Sequence, residues 1–583
     1  ARHWNKEQQR WAYNYFINEL KPVLTPIGID PSHPFPRVPN KGLHFAVELD
    51  GKDQFGRESK IAIVEAPRIL SRVIRLPEDL APAPNTFVLL QDIISLHVNE
   101  FFYGMSVRGC YPFRVTRAAD LTVNSDQKNL RNALTRELHN RKYAECSRLE
   151  LDISNGEPAA KFIDILLKQF NITRHDLYRV YGPVNLSRLS DIASMVDDDN
   201  LKFTPYNSGL PKELQDEPDI FKAMAKGDIL LHTPYQSFDT IIDFIKQASI
   251  DSDVVSIKMT LYRTKTDSEI INHLIYAAKN HKQVIVSIEL SARFDEKTNI
   301  KTAKRLLDAN IKVIYGKHAN KLYKIHAKMI LITKKSNNQL VKYVHLGTGN
   351  YNQITSKTYC DFGILSSKTN ITNDVESIFN YIIDQGIINP LDTLYQAPIN
   401  LYNMLVKKID IEINNAKNNL PAKIILKVNS IQEENIIKKL YSASQYGVEI
   451  ILIVRGACCL RPQLKNLSEN ITVISVIDRF LEHHRIFYFY NQGAEDVLIS
   501  SADLMKRNFF KRVECAIPIL DIKLKHRLIY EGLMIYIQHT MNSFIMHPDA
   551  SYSIRQNINN TTNFNSIDNI EINQNISAQA NAN

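Results

Sequence analysis

One segment of the sequence places chemically active side chains beside two apolar strand patterns: Ile325-His-Ala-Lys-Met-Ile-Leu-Ile332 and, one turn later, His345-Leu-Gly-Thr-Gly-Asn350. Residues two apart in a strand point to the same side, so we expect His326 and Lys328 to project into one site. The turn that ends at Asn350 would add backbone N–H groups and an amide, which can hold an oxyanion. A histidine with these neighbours suits phosphoryl transfer, whereas a lone histidine is more commonly a hydrogen-bonded core residue.

Strand-like and helix-like patterns alternate before this segment. Apolar residues recur at helical spacing in Ser237–Ile250, Ser268–His281 and Asn299–Asn310, and apolar strand patterns separate these helices. The alternation predicts βαβ units with a largely parallel sheet and helices on its faces. Ligands of such sheets bind at the carboxyl ends of the strands, so Arg263 and Arg293, which follow two strands, are candidate site residues.

The same pattern recurs between residues 422 and 501. Arg455 ends a strand as Arg293 does, and His483-His-Arg485 leads into a strand as His326-Ala-Lys328 does. We interpret this recurrence as a duplicated α/β unit, whose two copies would pool two histidines and at least three cations in one cleft. Two unrelated βαβ domains would look similar at this level of detail.

The remaining regions carry weaker patterns. The N-terminal region mixes helices with short strands and has no strong motif, whereas the C-terminal end is dominated by Asn, Ile, Ser, Thr and Gln. We therefore predict four regions: an α+β domain over 1–212, a first catalytic α/β domain with His326 over 213–393, a second one with Arg455 and His483 over 394–548, and a disordered tail over 549–583.

Charge and cysteine content narrow the class of protein. The net charge of +9 and the pI near 8.9 favour an anionic partner. The six cysteines contain no C-x-x-C pair and no zinc-binding spacing, which favours a reduced, intracellular protein. No apolar run approaches the length of a membrane span, and nothing resembles a signal peptide. The chain begins at Ala1 without methionine, which we interpret as a processed or partial sequence.

Six ordered motifs together resemble the long-chain polyphosphate kinase family. They are Asp228-Ile-Leu-Leu-His-Thr-Pro-Tyr-Gln-Ser-Phe-Asp239, Thr260-Leu-Tyr-Arg263, Glu289-Leu-Ser-Ala-Arg-Phe-Asp-Glu296, Lys324-Ile-His-Ala-Lys328, His345-Leu-Gly-Thr-Gly-Asn350 and Asp478-Arg-Phe-Leu-Glu-His483. The paired His-x-Lys elements also resemble the phospholipase D superfamily, which is related to that kinase family in fold. The resemblance implies an α/β multidomain protein, in which an α+β N-terminal region precedes two phospholipase D-like α/β domains. It also implies that the family's leading helical domain, which supplies a further nucleotide contact, is missing from this sequence.

The resemblance implies a reaction and a set of site residues. The reaction is reversible transfer of the terminal phosphate of ATP to inorganic polyphosphate through a phosphohistidine at His326. Arg263 and Arg293 match positions assigned to the family's magnesium site, but arginine has no lone pair to donate, so we interpret them as clamps on phosphates that carry Mg²⁺. The other expected site residues are Tyr359, Arg455 and His483 on ATP, Lys328, Asn350 and Arg485 on phosphates, and Asp361 as a residue that orients His326 or Lys328.

The resemblance further implies partners and a location. We expect ATP or ADP and polyphosphate as ligands, no nucleic acid, a homo-oligomer, and a cytoplasmic protein that associates peripherally with the inner membrane. Two alternatives stay open, a phospholipase D-like phosphodiesterase and a non-catalytic polyanion-binding protein. The phosphodiesterase pattern requires Asp five residues after the Lys or Arg, where this chain has Thr333 and Tyr490. The retained His-x-Lys pair, arginines and Gly-Thr-Gly-Asn turn argue against a non-catalytic protein.

Overall fold

The computed structural model describes residues 4–29, 35–52, 56, 60–118, 144–262, 266–289, 296–315, 317–318, 321–384, 390–538 and 542–555. Arg263, Arg293 and most of the predicted disordered tail, from residue 556 onward, lie outside these described residues. The chain divides into two compact units, Ala1–Thr204 and Pro205–Asn583.

The first unit is an α+β structure built on a six-stranded sheet. Its strands are β1 Pro26–Ile29, β2 Leu43–Gly51, β3 Ile61–Ala66, β4 Val73–Arg75, β5 Phe87–Leu89, β6 Met105–Arg117, β7 Cys146–Asp152 and β8 Leu177–Val180. The sheet order is β1-β3-β2-β6-β7-β8, and β4 pairs with β5 separately. Its helices are Lys6–Tyr15, Leu90–His97, Ala160–Phe170 and Asp191–Met195, with a π-helix at Phe16–Leu20 and 3₁₀ turns at Val98–Phe101, Arg174–Asp176, Leu186–Ser190 and Asp199–Leu201.

Short polar side chains set where several helices begin. Asn5 accepts a hydrogen bond from the N–H of Gln8, whose side chain accepts one from the N–H of Asn5, so the first helix starts at a capping box. In the second unit Ser268 caps helix Glu269–Lys279 and Asp521 caps helix Ile522–Ile529, each by accepting a hydrogen bond from the backbone N–H three residues further on.

The second unit holds most of the strands. They are β9 Ile229–Thr233, β10 Val254–Leu261, β11 Gln283–Ile288, β12 Lys312–Tyr315, β13 Lys317–His318, β14 Lys321–Leu322, β15 Lys324–Ile325, β16 Lys328–Ser336, β17 Gln339–Gly347, β18 Tyr359–Ser366, β19 Tyr395–Ala397, β20 Lys423–Val428, β21 Glu449–Val454, β22 Ile471–Val476, β23 Leu481–Glu482, β24 Arg485–Phe489, β25 Asp496–Ser500, β26 Arg512–Pro518, β27 Ser543–Met546 and β28 Tyr552–Ile554. Its helices are Lys212–Asp216, Ile220–Lys226, Asp239–Ile250, Glu269–Lys279, Glu296–Asp308, Thr369–Asp384, Leu401–Lys417, Glu434–Gln445, Lys506–Lys511, Ile522–Ile529 and Ile535–Gln538, with a π-helix at Tyr530–Met534 and 3₁₀ turns at Thr355–Lys357 and Asn491–Gly493.

Two sheets of matching topology form this unit. The first runs β12-β11-β10-β16-β17-β18-β23, with β9 on β18, and the second runs β15-β26-β25-β24-β20-β21-β22-β27-β28, with β19 on β26. In each sheet three parallel strands, β10 to β12 or β20 to β22, adjoin three antiparallel ones, β16 to β18 or β24 to β26. The predicted duplication is confirmed by this correspondence.

The expectation of a largely parallel sheet is wrong, because each sheet is mixed. Strands β16 and β17 are joined by only two residues, Asn337 and Asn338, which have φ angles of 48° and 61°. A two-residue turn with both central residues at positive φ produces an antiparallel hairpin, and asparagine tolerates that conformation. The Asn-Asn pair between two apolar runs was therefore the sequence signal for the antiparallel pairing.

The two sheets exchange short strands with one another. Strand β15, just before His326, pairs in parallel with β26 of the second sheet, while β23, just before His483, pairs in parallel with β18 of the first. Met329 and Leu331 from β16 and Ile486 and Tyr488 from β24 belong to one continuous buried apolar cluster. The exchange and the shared core fix the two histidine segments relative to each other.

Strand β28 corrects the predicted tail. Residues Tyr552–Ile554, inside the segment predicted to be disordered from 549, pair with β27 although all three are exposed. Backbone hydrogen bonds rather than apolar burial hold this strand, so it leaves little hydrophobic pattern in the sequence. Within the described ranges no helix combines the length and the hydropathy that crossing a membrane requires.

Candidate active site

His326 lies at the crossover between the two sheets of the second unit. The N–H groups of His326 and Ala327 both donate to the carbonyl of Val513 at 2.9 Å, and Lys328 then begins β16 in the other sheet. The expected continuous strand through His326 and Lys328 is thus interrupted, because residues 326 and 327 bridge two sheets. Both side chains are nevertheless buried, and Lys328 Nζ donates to the backbone carbonyl of His326.

A buried carboxylate orients the His326 ring. Nδ1 of His326 lies 2.8 Å from Oε2 of Glu514, which also accepts from the Ser501 hydroxyl at 2.5 Å. Asn508 donates to the other Glu514 oxygen at 3.0 Å. With Nδ1–H donating to the carboxylate, the lone pair of the imidazole lies on Nε2, the nitrogen available to attack an electrophile.

The electrostatic surroundings keep His326 neutral. Burial lowers its pKa well below the ordinary value, and the positive charges of Lys328 and Arg512 lower it further. Burial raises the pKa of Glu514 to about 7, against the opposing effect of Lys328. Burial also lowers the pKa of Lys328. A neutral imidazole among cationic groups is suited to accept a negatively charged group.

His483 has a matching arrangement in the other sheet. Its Nδ1 lies 2.8 and 2.9 Å from the two carboxylate oxygens of Asp361, and Thr348 donates to Asp361 at 2.5 Å. The expectation that Asp361 orients His326 is therefore wrong, while the charge of Asp361 does act on Lys328, where it opposes the burial that lowers the pKa of Lys328. Pairing of β23 with β18 puts His483 next to Asp361 instead, while β26 puts Glu514 next to His326.

Glu514 is the site residue that sequence reasoning missed. The sequence contains a signal for Glu514. In both copies a hydroxyl residue lies thirteen residues before the carboxylate to which it donates, Thr348 before Asp361 and Ser501 before Glu514. If the Gly-Thr-Gly-Asn turn is aligned with the Ser-Ser-Ala-Asp turn without a gap, Asp361 of the first copy aligns with Glu514 of the second.

Arg485 connects the two histidines. It bonds Asp503 through Nε at 3.2 Å and Nη2 at 3.1 Å, and its Nη1 lies 3.2 Å from Nε2 of His483. Burial favours protonation of Asp503, but the charge and hydrogen bonds of Arg485 lower the pKa of Asp503 to about 2. Arg485 also contributes to the low pKa of His326, so it acts on both halves of the site.

The residues expected to contact the nucleotide, Tyr359 and Arg455, lie around His483. The ring of Tyr359 lies 5.2 Å from that of His483. Arg455 donates from Nε to Asn429 at 2.9 Å, and Asn429 donates to the His483 carbonyl at 3.2 Å. Burial, followed by the charge of Arg485, lowers the pKa of Arg455, which places these two cations near each other.

The Gly347–Asn350 turn packs against Asp361, and its first residue, Gly347, lies opposite Lys328 in the pairing of β16 with β17. Asn350, Gly349 and Asp361 line a partly open cavity, and Oδ1 of Asn350 is buried without a hydrogen-bond partner among the described residues. A Cβ at Gly349 would lie 2.3 Å from Oδ2 of Asp361, so only glycine permits this close approach. The turn thus positions a carboxylate as well as offering polar groups.

The described residues do not form a protein metal site. They contain no group of three or more His, Cys, Asp or Glu side chains placed to hold an ion. The carboxylates of Asp361, Asp503 and Glu514 are each occupied by histidine, arginine or hydroxyl partners. This donor set does not fit a resident divalent cation, which prefers several free oxygen ligands.

Comparison with known proteins gives consistent results along the chain. Family models match residues 7–192 as polyphosphate kinase middle domain, 219–387 as polyphosphate kinase C-terminal domain 1 and 394–567 as polyphosphate kinase C-terminal domain 2. The polyphosphate kinase of Neisseria meningitidis serogroup C is 48% identical over 553 residues, which cover 94% of this chain and 80% of that protein. That of Burkholderia lata is 45% identical over 558 residues, which cover 95% and 80%.

A solved structure agrees with these relatives. The crystal structure of polyphosphate kinase from Porphyromonas gingivalis superimposes with a TM-score of 0.82 at 28% identity, covering 99% of this chain and 84% of that one. The chain that carries the duplicated sheets and the two histidines thus matches polyphosphate kinases over 94–99% of its length. The chain belongs to the polyphosphate kinase family, and it is an enzyme that transfers phosphoryl groups between ATP and polyphosphate.

Proposed function

We propose that His326 carries the phosphoryl group during the reaction. The observation that supports this proposal is the hydrogen bond from Nδ1 of His326 to Glu514, made by a buried, neutral imidazole among Lys328, Arg485 and Arg512. Glu514 fixes the tautomer that leaves Nε2 nucleophilic, and the cations offset the charge of an approaching phosphate. Glu514 itself is a positioning residue, because it acts through the imidazole.

The proposed transfer has two displacements at phosphorus. Nε2 of His326 attacks the terminal phosphorus of ATP, the bond to the bridging oxygen breaks, and ADP leaves. A terminal oxygen of polyphosphate then attacks the phosphohistidine, the N–P bond breaks and neutral His326 returns. While phosphorylated, the ring keeps its Nδ1 proton and is positively charged, so the Glu514 carboxylate stabilises that state.

The remaining expected residues receive proposed roles around this step. Arg455 and Tyr359 would contact the nucleotide, and His483, held by Asp361, would bind the leaving phosphate oxygen or, when its ring also carries a proton on Nε2, give that proton to it. Tyr262 lies edge-on to His326, with ring centroids 5.3 Å apart, which supports a phosphate-clamp role for the following residue, Arg263. The other proposed phosphate contacts are Arg293, Lys328, Asn350 and Arg485.

The comparisons indicate a kinase that needs a metal ion. We propose that this ion is Mg²⁺ and that it enters on the phosphates of the nucleotide, because the carboxylates of Asp361, Asp503 and Glu514 already have histidine, arginine or hydroxyl partners. Arginines clamp those phosphates rather than the ion, since a guanidinium has only donors.

We also propose, from the family relationship, a homo-oligomer in the cytoplasm with peripheral membrane attachment, and one histidine supplied by each of the domains 213–393 and 394–548. Light scattering on the purified chain measures the oligomeric state, and co-sedimentation with anionic lipid vesicles measures the membrane attachment. A monomer at all concentrations, or no sedimentation with vesicles, would contradict them.

Substitution His326→Ala tests the central proposal. We expect it to abolish both acid-labile labelling from ATP labelled at the terminal phosphate and synthesis of labelled polyphosphate, because no other group provides Nε2 at this position. His526→Ala, which changes an exposed histidine in the same unit, is the matched control and should label normally. Labelling that persists in His326→Ala would remove His326 from its proposed role.

A further inference from the structure

The first unit contains a basic cleft that the transfer reaction does not use. It is partly open to solvent and lies between the loop after β3, the start of helix Leu90–His97 and the segment from Pro183 to Leu189. Ten residues line it, including Arg72 and Arg188, and none of the ten is acidic. Such a lining attracts anions.

Arg72 is the buried cation of this cleft. Arg72 is only 7% exposed, and its terminal nitrogen Nη2 donates to the Ala66 carbonyl at 2.8 Å. Its Nε and Nη1 are buried and have no hydrogen-bond partner in the part of the chain that the structure describes. Buried guanidinium N–H groups are costly to leave unpaired, so a buried arginine that lines a cleft and has two unpaired nitrogens favours a ligand with acceptor oxygens.

Neighbouring charges make the potential around Arg72 positive. Burial, then Arg188 and Arg68, lower the pKa of Arg72 to about 10, and Glu65 opposes them. Burial and nearby arginines, including Arg72 and Arg68, lower the pKa of His44 to about 4, so this histidine stays neutral. Arg188 is exposed and forms no ion pair with a described carboxylate. Arg68, Arg72 and Arg188 thus act on one another here, while the nearby acids are Glu65, Asp92 and Asp152, the last bonded by Gln91 of the lining.

The start of helix Leu90–His97 lies at the cleft, and its first turn also carries the acidic residue Asp92. Leu89, the residue before the helix, lines the cleft and provides no side-chain cap, while the N–H of Leu90 donates to the Arg72 carbonyl at 3.0 Å. The first N–H groups of a helix and its dipole favour a bound anion. Arg72 and the helix start are therefore held together by the backbone.

We propose that this cleft binds a phosphate group of an inorganic polyphosphate chain, as a holding site outside the residues that transfer phosphate. A polyphosphate chain suits the cleft better than a single phosphate ion. Arg188 is exposed at the cleft and Arg72 is buried, so successive phosphates of one chain can contact the two cations. Holding the polymer at a second point raises its effective concentration at the enzyme between transfers.

Hydrogen exchange measured by mass spectrometry on the full chain tests this proposal, with tripolyphosphate as the probe. We expect tripolyphosphate to slow exchange in peptides that cover 89–95 and 183–191. Arg188→Glu should need roughly tenfold more tripolyphosphate for the same protection, because a charge-assisted contact is lost, and Arg188→Lys should be intermediate. Arg10→Ala, an exposed arginine outside the cleft lining, is the matched control and should behave like the unmodified protein.

The peptides around His326 and His483 provide an internal reference. Their protection by tripolyphosphate should be the same in all variants, since Arg188 is not one of the proposed transfer residues. Absence of protection at 89–95 and 183–191, or equal protection in Arg188→Glu, would overturn the proposal. Protection by orthophosphate at the same concentration as tripolyphosphate would also overturn it, because the cleft would then bind an adventitious ion only.

Discussion

Each site histidine takes its tautomer from a carboxylate that is far away in sequence. His326 depends on Glu514 and His483 on Asp361, and both carboxylates are further held by a hydroxyl. Because Nδ1 is occupied in both rings, Nε2 is the nitrogen of each ring left for a further partner, and in His483 it lies 3.2 Å from Nη1 of Arg485. The tautomer of each ring therefore follows from the carboxylate partner of its Nδ1.

Substitution Glu514→Gln should change both the rate and the pH dependence of His326 phosphorylation. Burial raises the Glu514 pKa to about 7, so its ionised fraction, and with it the labelling rate, should fall as the pH drops through about 7. The amide cannot titrate, so the variant should lose this acid limb and label roughly 10- to 100-fold more slowly, the worth of a charged hydrogen bond. Rapid-quench labelling across neutral pH measures both effects.

The control for that substitution is Glu449→Gln, which changes an exposed glutamate paired with Lys423. It should keep the unmodified rate and profile. An acid limb that survives in Glu514→Gln would assign the titration to another group.

Substitution Arg455→Ala should chiefly raise the KM for ATP, by roughly tenfold or more, because a cation near the nucleotide phosphates is lost. Steady-state kinetics at saturating polyphosphate measure this change, and the exposed Arg461→Ala is the control. An unchanged KM would contradict the nucleotide assignment.

At the scale of elements, the exchange of β15 and β23 between the sheets builds the site. Each of these strands is only two residues long, yet each is held by a parallel pairing that ends at a histidine. The strands are too short to carry an apolar pattern, so sequence periodicity could not reveal the exchange. The longer strands β16 and β24, by contrast, were predicted because they bury continuous apolar runs.

Substitution Gly349→Ala tests how a turn controls the neighbouring strand. A methyl group there would lie 2.3 Å from Asp361 Oδ2, so the carboxylate must move away from Thr348 and His483. We expect turnover to fall roughly 10- to 100-fold and stability to fall by about 1–3 kcal/mol, as in overpacked sites. Gly209→Ala, whose Cβ would meet no atom within 4 Å, is the control for turnover and for denaturant unfolding. Unchanged turnover would show that the Asp361 position does not matter.

At the scale of the whole molecule, an excess of nine positive charges accompanies a polyanionic substrate. Each phosphate contact by a cation releases a counterion, so affinity for a long chain depends on salt more steeply than affinity for a nucleotide. A fourfold rise in salt should raise the polyphosphate KM by roughly 2- to 3-fold per phosphate contact. The ATP KM, measured in parallel, should change less, and equal changes would contradict a multi-contact polymer path.

The order of amino acids was sufficient to predict the α/β elements, the duplication and the corresponding positions of His326 and His483 in the two copies, because local periodicity and repeated motifs follow the chain. It also led to Arg455 as a residue at a strand end. It did not identify Glu514, the reversed role of Asp361, the mixed sheets or the basic cleft around Arg72. Each of these depends on contacts between residues distant in sequence, which strand exchange and close packing bring together, and no local pattern specifies such contacts.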